Sequence, residues 1–113
     1  MPPREWRLRI EDMIDAAARI SRYIEGKNLV TFMRDDLTMD AVSRCFGIIG
    51  EAAVHIPNDV TVAHPEIPWS EIRAMRNIVV HEYFGVTKET LWKTALEDLP
   101  TIVEPLKKLL PMP

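Results

Sequence analysis

The segment Trp6–Ile24, WRLRIEDMIDAAARISRYI, shows the pattern that governs most of the chain. Its apolar residues recur every three or four positions, which is the spacing of one face of an α-helix. Charged residues occupy much of the remaining surface, and Gly26 follows where a helix commonly ends. We therefore predict an amphipathic first helix whose buried stripe consists of Trp6, Ile10, Met13, Ala17, Ile20 and Ile24.

The same spacing predicts a second and a third helix. The second is expected to start near Thr38, a suitable capping residue, and to stop at Pro57. The third is expected to carry Pro68 in its first turn and to be ended or interrupted by Gly85. The predicted inward-facing residues are Val42, Phe46, Ile49, Ala53 and Ile56 in the second helix, and Trp69, Ile72, Met75 and Val79 in the third.

A fourth helix completes the predicted fold. Thr87 can cap it, and Pro100 and Pro105 must kink or break it, because proline removes an amide donor and clashes with the preceding turn. Residues 27–36 are predicted as a linker or short helical turn, and residues 57–67 as a loop. The predicted fold is an all-α, four- to five-helix up-and-down bundle that forms one domain over residues 1–113. The inward-facing residues of the fourth helix are Leu91, Ala95, Leu99, Ile102, Leu106 and Leu109.

Charge and cysteine content limit the kinds of function that this chain can have. Fourteen Lys and Arg against seventeen Asp and Glu give the 113-residue chain a net charge of −3. Bulk positive charge therefore cannot hold a nucleic acid, and any such binding needs a local patch. Cys45 is the only cysteine, so no intrachain disulfide can form. We see no secretory signal and no apolar segment long enough to cross a bilayer, and we expect a cytoplasmic protein without membrane association.

The segment 76–83, RNIVVHEY, carries the side chains best suited to chemistry. Histidine shuttles protons near neutral pH, and arginine binds phosphates that carry developing negative charge. On an unbroken helix Asn77 shares a face with His81, whereas Arg76 and His81 differ by about 140°. Both can border one cleft if the helix ends at a groove or a second subunit supplies the other wall. This geometry favours a site shared across a two-fold axis.

Structural interpretations of these residues stay open. An arginine and a histidine at this spacing are common by chance, and spacing alone favours a structural role. His81 could be a hydrogen-bonded interfacial histidine, and Tyr83 a core aromatic with its hydroxyl at the rim. The start of a zinc-protease motif at His81 fails, because Gly85 occupies the position of the required second histidine.

Four further residues, all within the second predicted helix, have alternative interpretations. Gly47 and Gly50 allow another helix to approach closely, either within the monomer or from a second subunit. Glu51 and His55 lack a second carboxylate–histidine pair to complete a metal site, so we predict no metal. Glu51 would line a cleft if the helices cross near these glycines. No glycine-rich phosphate loop is present, so no nucleotide cofactor is predicted for this chain.

The pattern of arginine, four residues, histidine, one residue and tyrosine in 76–83 resembles the signature of the HEPN superfamily, specifically its HepT branch. Members of that branch are small all-helical proteins encoded beside a minimal nucleotidyltransferase, called MNT. Similar text extends over nearly the whole chain, through 46–53 (FGIIGEAA), 65–69 (PEIPW), 72–77 (IRAMRN), Val86, Leu91, Trp92 and 98–100 (DLP).

The resemblance implies a toxin-type endoribonuclease that acts without metal in the cleft of a homodimer. Arg76 and His81 would be the catalytic pair: the ribose 2′-hydroxyl attacks the adjacent phosphate, His81 moves the proton and Arg76 stabilises the crowded phosphate. Asn77 would orient the phosphate or His81. Tyr83 matches the tyrosine to which the MNT partner transfers AMP, which would block RNA entry. The alternative is a non-catalytic helical subunit that docks a nucleotidyltransferase and helps present its substrate.

Overall fold

The computed structural model describes residues 5–77 and 87–111. Within these two ranges the regular structure is helical and no strand occurs, which confirms the predicted all-α bundle. The elements are α1 (Trp6–Ile24), α2 (Leu29–Met33), α3 (Asp36–Val54), α4 (Asn58–Ala63), α5 (Trp69–Ala74), α6 (Lys88–Lys93), a π-helical turn (Thr94–Asp98) and α7 (Leu99–Lys107). None of the described helices combines the length and apolar character that crossing a bilayer requires.

The core lies where α1 packs against α3 and, on another side, against the π-helical turn and α7. Most of the predicted inward-facing residues that the structure describes are buried, and only Trp6 and Leu109 are partly buried. Val79 lies outside the described residues. Because the apolar stripes of α1, α3 and α7 face one another, burying them together drives the packing of the bundle.

The connection between α1 and α3 contains the short helical turn that was one of the two predictions for residues 27–36. Gly26 has a φ of 76°, the left-handed conformation that ends many helices. Asn28 and Thr31 then form a reciprocal capping box at the start of α2. The start of α3 differs from the prediction: Asp35, not Thr38, is the N-cap, and its Oδ1 accepts a hydrogen bond from the Thr38 amide at 3.0 Å. Aspartate caps well because its carboxylate satisfies a free amide at the positive helix end.

The prediction of a loop over residues 57–67 is wrong in part, because α4 occupies Asn58–Ala63. Pro57 stands at its N-cap, where the missing proline amide costs nothing. Thr61 is buried and donates its hydroxyl hydrogen to the Asn58 carbonyl at 3.0 Å. The indole of Trp69 then donates to the His64 carbonyl at 2.9 Å, which ties the start of α5 to the segment after α4.

In the C-terminal region, two prolines affect the helix differently. Thr87 caps α6 as predicted, with its side chain accepting from the Thr90 amide. The α-helix then gives way to the π-helical turn, and Pro100 lies in the first turn of α7. Because Pro100 has no amide hydrogen to donate to the preceding turn, the α-helical ladder cannot run on unchanged. The helix continues through Pro105 and ends at Lys107, so the structure excludes a break at Pro105, which was one of the two predicted effects there.

Candidate active site

Gly50 sets the position of Arg76, the first residue of the predicted catalytic motif. A Cβ atom built on Gly50 would lie 2.8 Å from both the Cα and the Cβ of Arg76, and closer still to its amide nitrogen. Real Cβ atoms do not approach backbone this closely, so this contact between α3 and the residues after α5 requires glycine. Of the two interpretations of Gly50, the structure therefore supports close packing within the monomer.

The next residue of α3, Glu51, holds the Arg76 side chain. Arg76 Nη1 donates to Glu51 Oε2 at 3.0 Å, and His55 Nε2 donates to Glu51 Oε1 at 3.2 Å. The hydrogen bond from His55, followed by that from Arg76, lowers the pKa of the Glu51 carboxyl below its usual range. We call these three residues, Glu51, His55 and Arg76, the polar corner.

The polar corner is open to solvent. The side chains of Arg76, Glu51 and His55 are 49%, 51% and 47% exposed, respectively. A guanidinium group carries five N–H donors, and the described residues supply an acceptor only at Nη1 of Arg76. Glu51 therefore holds the guanidinium at Nη1, and no other acceptor for Arg76 lies among residues 5–77 and 87–111.

The other predicted site residues divide into two groups. Asn77 is described and exposed, immediately after Arg76. His81 and Tyr83 lie outside the described residues, as does Gly85, so the catalytic pair stays a prediction. The pairing of Arg76 with Glu51 joins residues 25 positions apart. Helical periodicity does not reveal such a contact, and the signal that pointed to it was the pair of glycines on α3.

The other candidate groups in the described part of the chain have surroundings typical of residues with a structural role. Across residues 5–77 and 87–111, no cluster of three or more His, Cys, Asp or Glu side chains could hold a metal ion. Cys45 is buried, and burial raises the pKa of its thiol, as expected for a packing residue and unlike a nucleophile. The Nδ1 atom of His64 lies 3.3 Å from Oε1 of Glu66.

One known protein family matches most of this chain. Residues 13–109 match the family model described as "Ribonuclease HepT-like". A Thermococcus cleftensis protein named "Probable ribonuclease HepT" is 42% identical over 100 residues, which cover 88% of this chain and 91% of that protein.

Two more distant relatives extend the match. A Methanocaldococcus jannaschii protein provisionally named an RNase is 32% identical over 97% of this chain and 91% of its own length. A Caldanaerobacter subterraneus protein, also provisionally named an RNase, is 31% identical over 89% of this chain and 90% of its own length. No solved structure matches the chain significantly. The extent of the family match shows that this chain belongs to the HepT-like ribonuclease family.

Proposed function

We propose that this protein is an endoribonuclease toxin in which Arg76 and His81 act on one RNA phosphodiester. The ribose 2′-oxygen attacks the adjacent phosphorus while His81 accepts the 2′-hydroxyl proton. The bond from phosphorus to the 5′-oxygen breaks, the leaving 5′-oxygen takes up a proton from water, and a 2′,3′-cyclic phosphate remains. Arg76 stabilises the additional negative charge on the phosphate, and Asn77 orients the phosphate or His81. No metal ion takes part in this scheme.

The observation that carries the proposal is the presentation of Arg76. Its backbone packs on Gly50, which fixes its position, and its guanidinium stays half exposed with one edge held by Glu51. A half-exposed cation whose position is fixed is what a phosphate in a crowded transition state requires.

We further propose that the active form is a homodimer and that a nucleotidyltransferase silences it. The Tyr83 phenolic oxygen would attack the α-phosphorus of ATP bound to that partner. A bond forms between the tyrosine oxygen and AMP, and pyrophosphate leaves. The bulky anionic nucleotide would then stand two residues from His81 and exclude RNA from the cleft. Residue spacing and family membership support this part of the proposal.

The ribonuclease proposal is tested by His81→Ala in the full-length chain. We expect the variant to lose RNA cleavage and growth inhibition while keeping its helical circular dichroism, because general acid–base catalysis contributes about 10²- to 10⁴-fold. The parent should cleave equally well in the presence of a chelator. A folded His81→Ala protein that cleaves RNA at the parent rate would refute the assignment.

Co-expression with the nucleotidyltransferase separates the toxin from a docking subunit. A chain that arrests growth alone and is relieved by the partner is a toxin. A harmless chain that changes the partner's activity is instead the non-catalytic subunit. Intact mass after incubation with the partner and ATP tests the modification, and a mass gain that persists in Tyr83→Phe would exclude Tyr83 as the acceptor.

A further inference from the structure

We propose that Arg19, Arg22 and Arg44, together with Tyr23, form a second RNA-binding surface that holds the phosphate backbone of the substrate strand away from the cleavage site. We call these four residues the arginine surface. This inference rests on the proposed ribonuclease function for the choice of ligand. It does not use the catalytic motif, and no member of the surface belongs to the polar corner.

The arginine surface lies along the junction of α1 and α3. Arg19, Arg22 and Tyr23 lie within adjacent turns of α1, and Arg19 Nε donates to the Tyr23 hydroxyl at 3.2 Å. Arg44 comes from α3, directly before the buried Cys45. Because α1 packs against α3, Arg44 borders the same helix junction as the α1 arginines. Burial raises the pKa of the Cys45 thiol at this junction, and Arg19, Arg44 and Arg22 oppose that rise.

The three arginines of this surface form no close ion pair among the described residues. Arg22 and Arg44 are exposed, and no carboxylate in the described part of the chain forms an ion pair with either of them or with Arg19. The hydrogen bond to Tyr23 is the main cause that raises the pKa of Arg19, and the charge of Asp15 also contributes. By contrast, Arg7 and Arg76 each contact a carboxylate at 3.1 Å or less. In a chain with a net charge of −3, such a surface is the local patch that RNA binding requires.

The position of Arg44 connects the surface to the polar corner. Arg44 and Glu51 are seven residues apart on α3, which puts them within about 20° of the same direction and about 10 Å apart along the helix. One RNA strand lying along this face of α3 can therefore reach both Arg44 and Arg76. Tyr23 packs partly against the core and stays partly exposed, and aromatic side chains at single-strand binding surfaces commonly stack on bases.

Fluorescence anisotropy with a labelled, unstructured single-stranded RNA tests the inference. The measurement uses full-length His81→Ala, so that RNA stays intact, with and without Arg22→Gln and Arg44→Gln together. We expect the double substitution to weaken binding on the order of tenfold at low salt, and to reduce the salt-dependence slope by about 1.4, since each single-strand phosphate contact contributes about 0.7. Lys107→Gln with Lys108→Gln, both exposed at the end of α7, is the control of equal charge.

The outcomes separate this inference from the ribonuclease proposal. Equal affinities for the arginine and lysine variants would overturn the arginine surface, as would a loss of binding that accompanies a change in oligomeric mass or helicity. Suppose that the chain with His81 intact cleaves RNA and that Arg22→Gln/Arg44→Gln leaves KM unchanged. The arginine-surface proposal is then refuted, and the ribonuclease proposal is supported. If the parent binds RNA through these arginines without cleaving it, the ribonuclease proposal fails and the surface stands.

Discussion

Two adjacent residues of α3 belong to regions of the molecule that have different roles. Gly50 belongs to the buried packing between α3 and the residues after α5, whereas Glu51 belongs to the solvent-exposed polar corner. Gly50 packs against the backbone of Arg76, and Glu51 accepts a hydrogen bond from the Arg76 guanidinium. Packing therefore sets where Arg76 stands, and hydrogen bonding sets how its side chain points. Substitutions in the two regions should separate stability from activity.

The largest expected loss of stability comes from the packed region. Phe46 is fully buried on α3, so Phe46→Ala should reduce the free energy of unfolding by about 3–5 kcal/mol. That is a large part of the 5–15 kcal/mol typical of a domain this size. Urea unfolding followed by circular dichroism measures it. Exposed Leu37→Ala is the control, and an equal loss there would contradict the division.

Gly50→Ala should lower both the stability of the fold and the rate of RNA cleavage. Alanine in place of glycine within a helix normally raises stability by up to about 1 kcal/mol. Here the added Cβ meets the backbone of Arg76, so we expect a loss of about 1–3 kcal/mol and a slower RNA cleavage rate. Chemical unfolding and cleavage assays measure the two effects. A Gly50→Ala protein as stable as the parent would show that the contact with Arg76 is not tight.

Glu51→Gln should affect activity with little effect on stability. Glutamine keeps the length of the side chain but loses the charge that attracts Arg76, so we expect cleavage to slow by less than about tenfold. The melting temperature should not change, because the pair is half exposed. The same substitution made in Arg76→Ala should have no further effect on cleavage. An additional loss in that background would mean that Glu51 acts independently of Arg76.

The smallest expected effect is a pH dependence at Asp35, far from the polar corner in sequence. Hydrogen bonds from Lys27 and then from Thr38 hold the pKa of Asp35 well below its usual range. Its stabilising effect is therefore complete above the ordinary carboxyl pKa of about 3.9, and it is lost as the pH falls toward the lowered value. The parent melting temperature should fall more between about pH 7 and pH 2 than that of Asp35→Asn, as differential scanning calorimetry can measure. Equal falls would contradict the role of this ion pair.

Local sequence patterns were sufficient for the packed region. The steps of three and four that placed Ile10, Phe46 and Leu99 in the core reflect helix geometry, which any amphipathic helix shares. Helix ends were less predictable. Asp35 and Thr38 are both good capping residues, and only the path of the chain after α2 decides between them. The sequence did not predict α4, because Pro57 can either end a helix or begin one.

The polar corner could be predicted only in part. The motif in 76–83 pointed to Arg76, and the glycines on α3 pointed to a close crossing near Glu51. The salt bridge itself depends on how α3 and α5 meet, which short-range spacing does not encode. The arginine surface was harder still, because its members come from two helices. In the sequence, the arginines of α1 alternate with acids and suggest an ordinary solvated face.

The central claim is that Arg76 and His81 act together on one phosphodiester. Single-turnover cleavage of one RNA oligonucleotide by the parent, Arg76→Ala, His81→Ala and the double variant tests it most directly. We predict that each single variant is at least about 100-fold slower while still folded, and that the double variant is no slower than the slower single variant. A folded single variant that cleaves at the parent rate would contradict the claim.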